Sequence, residues 1–127
     1  MQTRRINADN GAAPVGAYAQ GYEVSGTSRR LYISGQAPVT PDGAVPATFK
    51  AQAETVWRNI LAQLYAADMT ASNIVHATTF LTDRAHRDEN REVRMDMLNG
   101  HICAMTVVLA EMFEDGWLLE INAIAEA

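Results

Sequence analysis

A chain of 127 residues, 48% hydrophobic and 20% charged, is one domain's worth of sequence, able to bury a core and too short for two. Its formal net charge of −5 argues against sequence-independent nucleic-acid binding, which needs clustered Lys and Arg to displace counterions. Cys103 is the sole cysteine, which leaves no intrachain disulfide and no cysteine-built zinc site. The first residues lack the apolar stretch of a secretory signal and no apolar run reaches membrane-spanning length, so the expected compartment is the cytosol, without a membrane partner.

A short extended piece near Arg4 to Asn7 is followed by two strands, around Gly21 to Val24 and Leu31 to Ser34, with Ser25-Gly26-Thr27-Ser28 as the turn. Gln36 to Ala47 holds Pro38, Pro41, Pro46 and an Asp42-Gly43 turn, and reads as an ordered loop. The clearest helix comes next. Phe49, Ala53, Val56, Trp57, Ile60, Leu61 and Leu64 fall on one stripe, with Thr48 as N-cap. Ile74 to Leu81, rich in β-branched residues, reads as a strand. Asp83 to Asn99 is charged, with Val93, Met97 and Leu98 as a thin apolar face, and reads as a solvent-exposed helix. The arginines between Arg84 and Arg94, like Arg29 and Arg30, read as solvated side chains. Cys103 to Leu109 and Trp117 to Ala125 are two further strands, joined through Glu114-Asp115-Gly116.

This order predicts a single α+β domain over residues 1–127, a sheet with two helices on one face. The opposite face carries Leu, Ile and Val at alternate positions, and so much bare apolar surface normally marks a subunit interface.

Glu120 breaks the pattern of its surroundings. It sits inside Trp117 to Ile124, the most apolar strand, and shares a face with Leu118, Asn122 and Ile124. A carboxylate buried there must be hydrogen-bonded, paired or protonated, and such a group can act as general acid or base. The plainer readings are an edge-strand Glu pointing to solvent or a structural salt bridge. His76, His86 and His101 have no companions at metal-ligand spacing and read as structural, Cys103 lacks an activating context, and Met95, Met97 and Met105 read as packing residues. There is no phosphate-binding glycine loop.

Six segments taken together resemble one family. Gly16-Ala17-Tyr18-Ala19-Gln20 resembles the G-x-Y-x-Q of the RidA/YjgF proteins, the reactive-intermediate deaminases. Ser34-Gly35-Gln36-Ala37-Pro38 resembles their S-G-Q-x-P, Gln52 with Asn59-Ile60 their first helix, and Val75 to Asp83 the strand that ends in their Thr/Lys-Asp turn. Asn90 matches the Asn opening their second helix, and Leu119-Glu120-Ile121-Asn122-Ala123-Ile124-Ala125 their closing V/L-E-I-x-A-I-A. The resemblance implies a chorismate-mutase-like (YjgF-like) fold and a homotrimer with a central β-barrel. Clefts between subunits would hydrolyse imines and enamines such as 2-aminoacrylate, with no metal or organic cofactor. It carries Glu120 over as the residue that positions the attacking water and Tyr18 as a pocket-lining catalytic residue. Ser34, Asn90 and the backbone near Ala104 carry over as substrate-binding groups.

One departure bears directly on function. Active deaminases of the family carry Pro-Ala-Arg at the start of the penultimate strand, where the Arg clamps the substrate carboxylate; here Met105 takes its place. A thioether cannot make the bidentate bonds of a guanidinium. Losing such a partner costs about 2–5 kcal/mol, or roughly 30- to 5000-fold in rate. Deamination of 2-imino acids is therefore expected to be weak, and the cleft is expected to favour a less anionic, more apolar ligand. Three functions stay open: a divergent hydrolase of small C=N substrates, a non-catalytic trimer binding a metabolite, and, less favoured by the charge, a ribonuclease or translation inhibitor.

Overall fold

The structure, a computed structural model, describes residues Met1–Ala127. Six strands and two helices follow one another as β1 (Gln2–Ile6), β2 (Gly21–Ser25), β3 (Arg30–Gln36), α1 (Phe49–Ala66), β4 (Ile74–Leu81), α2 (Arg87–Met97), β5 (Ala104–Leu109) and β6 (Leu119–Glu126). A single turn of 3-10 helix, Arg84–His86, leads into α2. The expected α+β architecture is present, with the charged helix beginning four residues later than the sequence pattern suggests. Asp83 instead opens the 3-10 turn, its Oδ1 accepting from the Ala85 N–H at 2.8 Å.

The main sheet has the order β3-β6-β4-β5. β6 is antiparallel to both neighbours, and β4 and β5 are parallel with α2 as their crossover. Alternation decides the faces: Leu119, Ile121, Ala123 and Ala125 of β6 are buried, as are Ala77, Thr79 and Leu81 of β4. They meet the α1 stripe, in which Phe49, Ala53, Val56, Trp57, Ile60 and Leu64 are buried, and Val93 and Leu98 beside α2 complete the core. Thr48 caps α1 as expected, its Oγ1 accepting from the Ala51 N–H at 3.2 Å.

Two residues of the family resemblance have structural roles. Gln52, buried in α1, donates to the carbonyls of Pro46 and Gly116 and accepts from the Leu118 N–H, so one amide ties two loops to the helix. Asn59 donates to the Ala37 and Val39 carbonyls and holds the proline-rich loop.

The strands before and after Ser25-Gly26-Thr27-Ser28 do not form a hairpin. β2 pairs only with β1, as a separate two-stranded sheet, and β3 pairs only with β6. Gly26, at φ +69°, turns the chain away, and the Ser28 and Arg29 N–H groups then donate to the Ala127 carbonyl. β5 and β6, consecutive in sequence, are likewise not neighbours, because β4 lies between them.

Candidate functional site

Three segments meet beside the β5 edge of the sheet. The stretch before β2 runs alongside the start of β5: Ala19 bridges Ala104 in parallel, its N–H donating to the Cys103 carbonyl at 3.0 Å. That parallel pairing sets Tyr18 level with Cys103 and Gln20 level with Met105. The loop closes on itself, with the Tyr18 N–H bonded to the Gly16 carbonyl and the Val15 N–H donating to Tyr18 Oη at 3.2 Å. From the opposite wall, Arg94 of α2 donates through Nη2 to the Ala17 carbonyl at 2.8 Å.

Between these walls lies a cleft of about 470 Å³ with Tyr18, Asn90 and Met105 in its lining. Leu81 of β4 and Thr106 to Leu109 of β5 form its floor. Ala104 adjoins it, held in the bridge to Ala19. Asn90 is 3% exposed, and its side-chain Oδ1 has no hydrogen-bond partner. An amide oxygen buried without a partner forfeits the hydrogen bond it would have in water, so it marks a place where a ligand donor fits.

The lining also corrects an expectation. Met105 does not leave the cleft without cations: Arg84, Arg87, Arg91 and Arg94 all line it. Reading them as solvated helix-face residues missed that they recur at spacings of three, four and three, one side of a helix. Interleaved acids hid the stripe. Arg94 is the deepest, and desolvation lowers its pKa, with the neighbouring Arg91 charge acting in the same direction.

Ser34 and Glu120 lie elsewhere, on the sheet face turned away from the helices. Glu120 is half-buried on β6, which is interior to the sheet, and it is absent from the ion pairs of the chain. The edge-strand and salt-bridge readings therefore do not describe it. Its carboxylate lies over Gly35, where a Cβ would fall on Glu120 Oε2 and 2.8 Å from its Cδ. The same face carries Tyr32, 68% exposed, together with Val108 and the half-buried Phe80 and Ile124.

The remaining candidates are structural. His86 stacks on Phe49 with ring centroids 4.3 Å apart, and His101 Nε2 lies 2.7 Å from the Ile74 carbonyl. Burial pushes the Cys103 thiol up to about 11, so it is not a thiolate nucleophile near neutrality.

A family model described as Endoribonuclease L-PSP matches residues 9–127. Protein DfrA of Myxococcus xanthus is 32% identical over 127 residues, covering 98% of this chain and 96% of its own. A 2-iminobutanoate/2-iminopropanoate deaminase of Escherichia coli is 35% identical over 82 residues, 64% of this chain and 62% of that protein. Among solved structures, the Rid-family protein YyfB from Yersinia pestis, of unknown function, aligns over 100% of both chains at a TM-score of 0.88 and 22% identity, a likeness of fold. With the motifs from Gly16 to Ala125 in register and the fold in agreement, the chain belongs to the RidA/YjgF family.

Proposed function

We propose that the protein is a cytosolic, cofactor-free hydrolase of small imines, acting in clefts between the subunits of a homotrimer. The observation that carries this reading is the unpartnered Asn90 amide in a cleft shared with Tyr18 and four arginines. The bare sheet face, with Tyr32, Phe80 and Val108, supports assembly, because an apolar surface of that kind is normally covered. In a threefold ring a neighbouring subunit's Glu120 would approach the cleft and accept a proton from water as the oxygen adds to the C=N carbon. Protonated Glu120 would return that proton to nitrogen, giving a carbinolamine. It would then relay the hydroxyl proton to the amine as the C–N bond breaks, which releases ammonia and leaves a carbonyl product.

A binding module without chemistry is the second reading, favoured by one observation: no Asp or Glu of the same chain lines the cleft. Ammonia release from imines generated in situ separates the two. The hydrolase reading expects release above the buffer rate, abolished in Glu120→Gln at unchanged mass and melting temperature. Release at the buffer rate from a folded trimer would favour the binding module, and a monomer mass at micromolar concentration would remove the shared cleft altogether.

A further inference from the structure

The cleft has a charge pattern that the Met105 substitution does not announce. Arg84, Arg87, Arg91 and Arg94 form one stripe along the 3-10 turn and α2, and no acidic residue joins them in the lining. Three of the four acids of the same helix, Glu89, Glu92 and Asp96, gather on its other side with Glu54 and Lys50. A protein of net charge −5 thus gathers these arginines on one side of a single helix and all but one of that helix's acids on the other. The stripe is graded in depth: Arg94 is buried, Arg91 half-buried, and Arg87 and Arg84 are exposed at the mouth. The one acid paired with any of the four is Asp88, 3.5 Å from Arg91 and itself 80% exposed. Arg94 has no anionic partner, and its Nε bonds to nothing, just as Asn90 Oδ1 one turn earlier bonds to nothing. A buried cation without a counterion, next to a second cation, is a costly arrangement that an arriving anion relieves.

The geometry points to a dianionic ligand, with one anionic group held by Arg91 and Arg94 at the inner end and a second held by Arg84 and Arg87 at the mouth. The two pairs are offset by two helical turns, about 10 Å at 1.5 Å per residue. Flexible arginine side chains close that gap onto a chain of about five carbons. The carboxylate clamp that Met105 cannot supply from β5 is thereby supplied from α2. Asn90 Oδ1 is placed to accept an N–H or O–H from the same molecule. That the ligand is the imine of a 2-oxo dicarboxylate, or a phosphorylated equivalent, rests on the hydrolase reading above. The binding itself does not.

Calorimetric titration of the full chain tests it with three probes that are not turned over: 2-oxoglutarate, 2-oxobutanoate and 3-phosphoglycerate. The dianionic 2-oxoglutarate is expected to bind about tenfold or more tightly than 2-oxobutanoate, as a second charge-assisted contact requires. Arg91→Gln should weaken both 2-oxo acids, whereas Arg84→Gln should weaken only the dianion and bring it to the level of the monoanion. Both positions keep enough solvent exposure for the variants to fold, which circular dichroism checks. Tighter binding of 3-phosphoglycerate would make phosphate the group at the mouth and leave the proposal standing. Equal affinity for the two 2-oxo acids, or indifference to both substitutions, would overturn it. Charge discrimination without imine hydrolysis would refute the hydrolase reading alone; hydrolysis without discrimination would refute this inference alone.

Discussion

Gly35→Ala moves the Glu120 carboxylate without removing it. Gly35 lies in β3 at the irregularity between Ile33 and Gln36, and its backbone is outside the left-handed region, so alanine meets no conformational penalty there. The added Cβ would fall on Glu120 Oε2 and lie 2.8 Å from Cδ and 3.2 Å from Cγ. The glutamate is half-buried and free of hydrogen bonds that would anchor it, so its side chain swings away. Leaving its rotamer costs about 0.5–1.5 kcal/mol. Against this, alanine restricts the unfolded chain and contributes about 0.4–1 kcal/mol. The two nearly cancel, and the melting temperature should shift by no more than about 5 °C. Turnover is a different matter, because an ångström of misplacement at a reacting group costs about a hundredfold. Ammonia release measured beside a thermal melt reads both quantities. Turnover within about threefold of wild type at an unchanged melting temperature would refute a positional role for Glu120. A large fall in melting temperature would refute the premise that the side chain absorbs the added methyl.

Two further predictions concern the frame around the site. Glu126, 7% exposed, accepts from Arg30 Nε at 2.7 Å and from Thr27 Oγ1 at 2.8 Å, which locks the β3 entry to the end of β6. Glu126→Ala should lower stability by about 1–3 kcal/mol in urea denaturation with an unchanged slope, and a loss below about 0.5 kcal/mol would show that the clamp is idle. Because burial raises the Cys103 thiol to about 11, the folded state holds that proton more tightly than the unfolded chain. The associated stability is fully present below about pH 9 and lost as pH rises toward 11, at up to about 1.4 kcal/mol per unit. A thiol-specific reagent should label Cys103 at pH 8 only on unfolding, and rapid labelling of the native protein would contradict its burial.

Much of the fold was legible because it rests on local periodicity. The α1 stripe from Phe49 to Leu64, its Thr48 cap and the alternation around Glu120 are properties of short windows, and the structure places them as the pattern indicates. The position of β2 was not legible, since Gly26 permits either a hairpin or a departure from the sheet. The bonds that decide it, from Ser28 and Arg29 to Ala127, join residues far apart in sequence. The arginine stripe was legible in principle. Spacings of three, four and three place Arg84 to Arg94 on one side of a helix, but Glu89, Glu92 and Asp96 interleave with them and make the segment look uniformly solvated. Only the docking of the Ala17 to Ala19 segment against β5 and Arg94 turns that side into a cleft wall. Tyr18, Asn90 and Met105 were named from the motif and lie together, whereas Ser34 and Glu120 sit across the sheet from them.

Because Glu120 and Asn90 lie apart in one chain, mixing subunits tests whether they meet between neighbours. In the proposed homotrimer, Glu120 of one subunit serves the cleft that holds Asn90 of the next. Glu120→Gln and Asn90→Ala homotrimers should each be inactive. Co-assembled at equal ratio, they should recover about a quarter of wild-type imine hydrolysis, because in a cyclic trimer each cleft draws its two halves independently. Mixed trimers, verified by mass, that recover no activity would contradict a site shared between subunits.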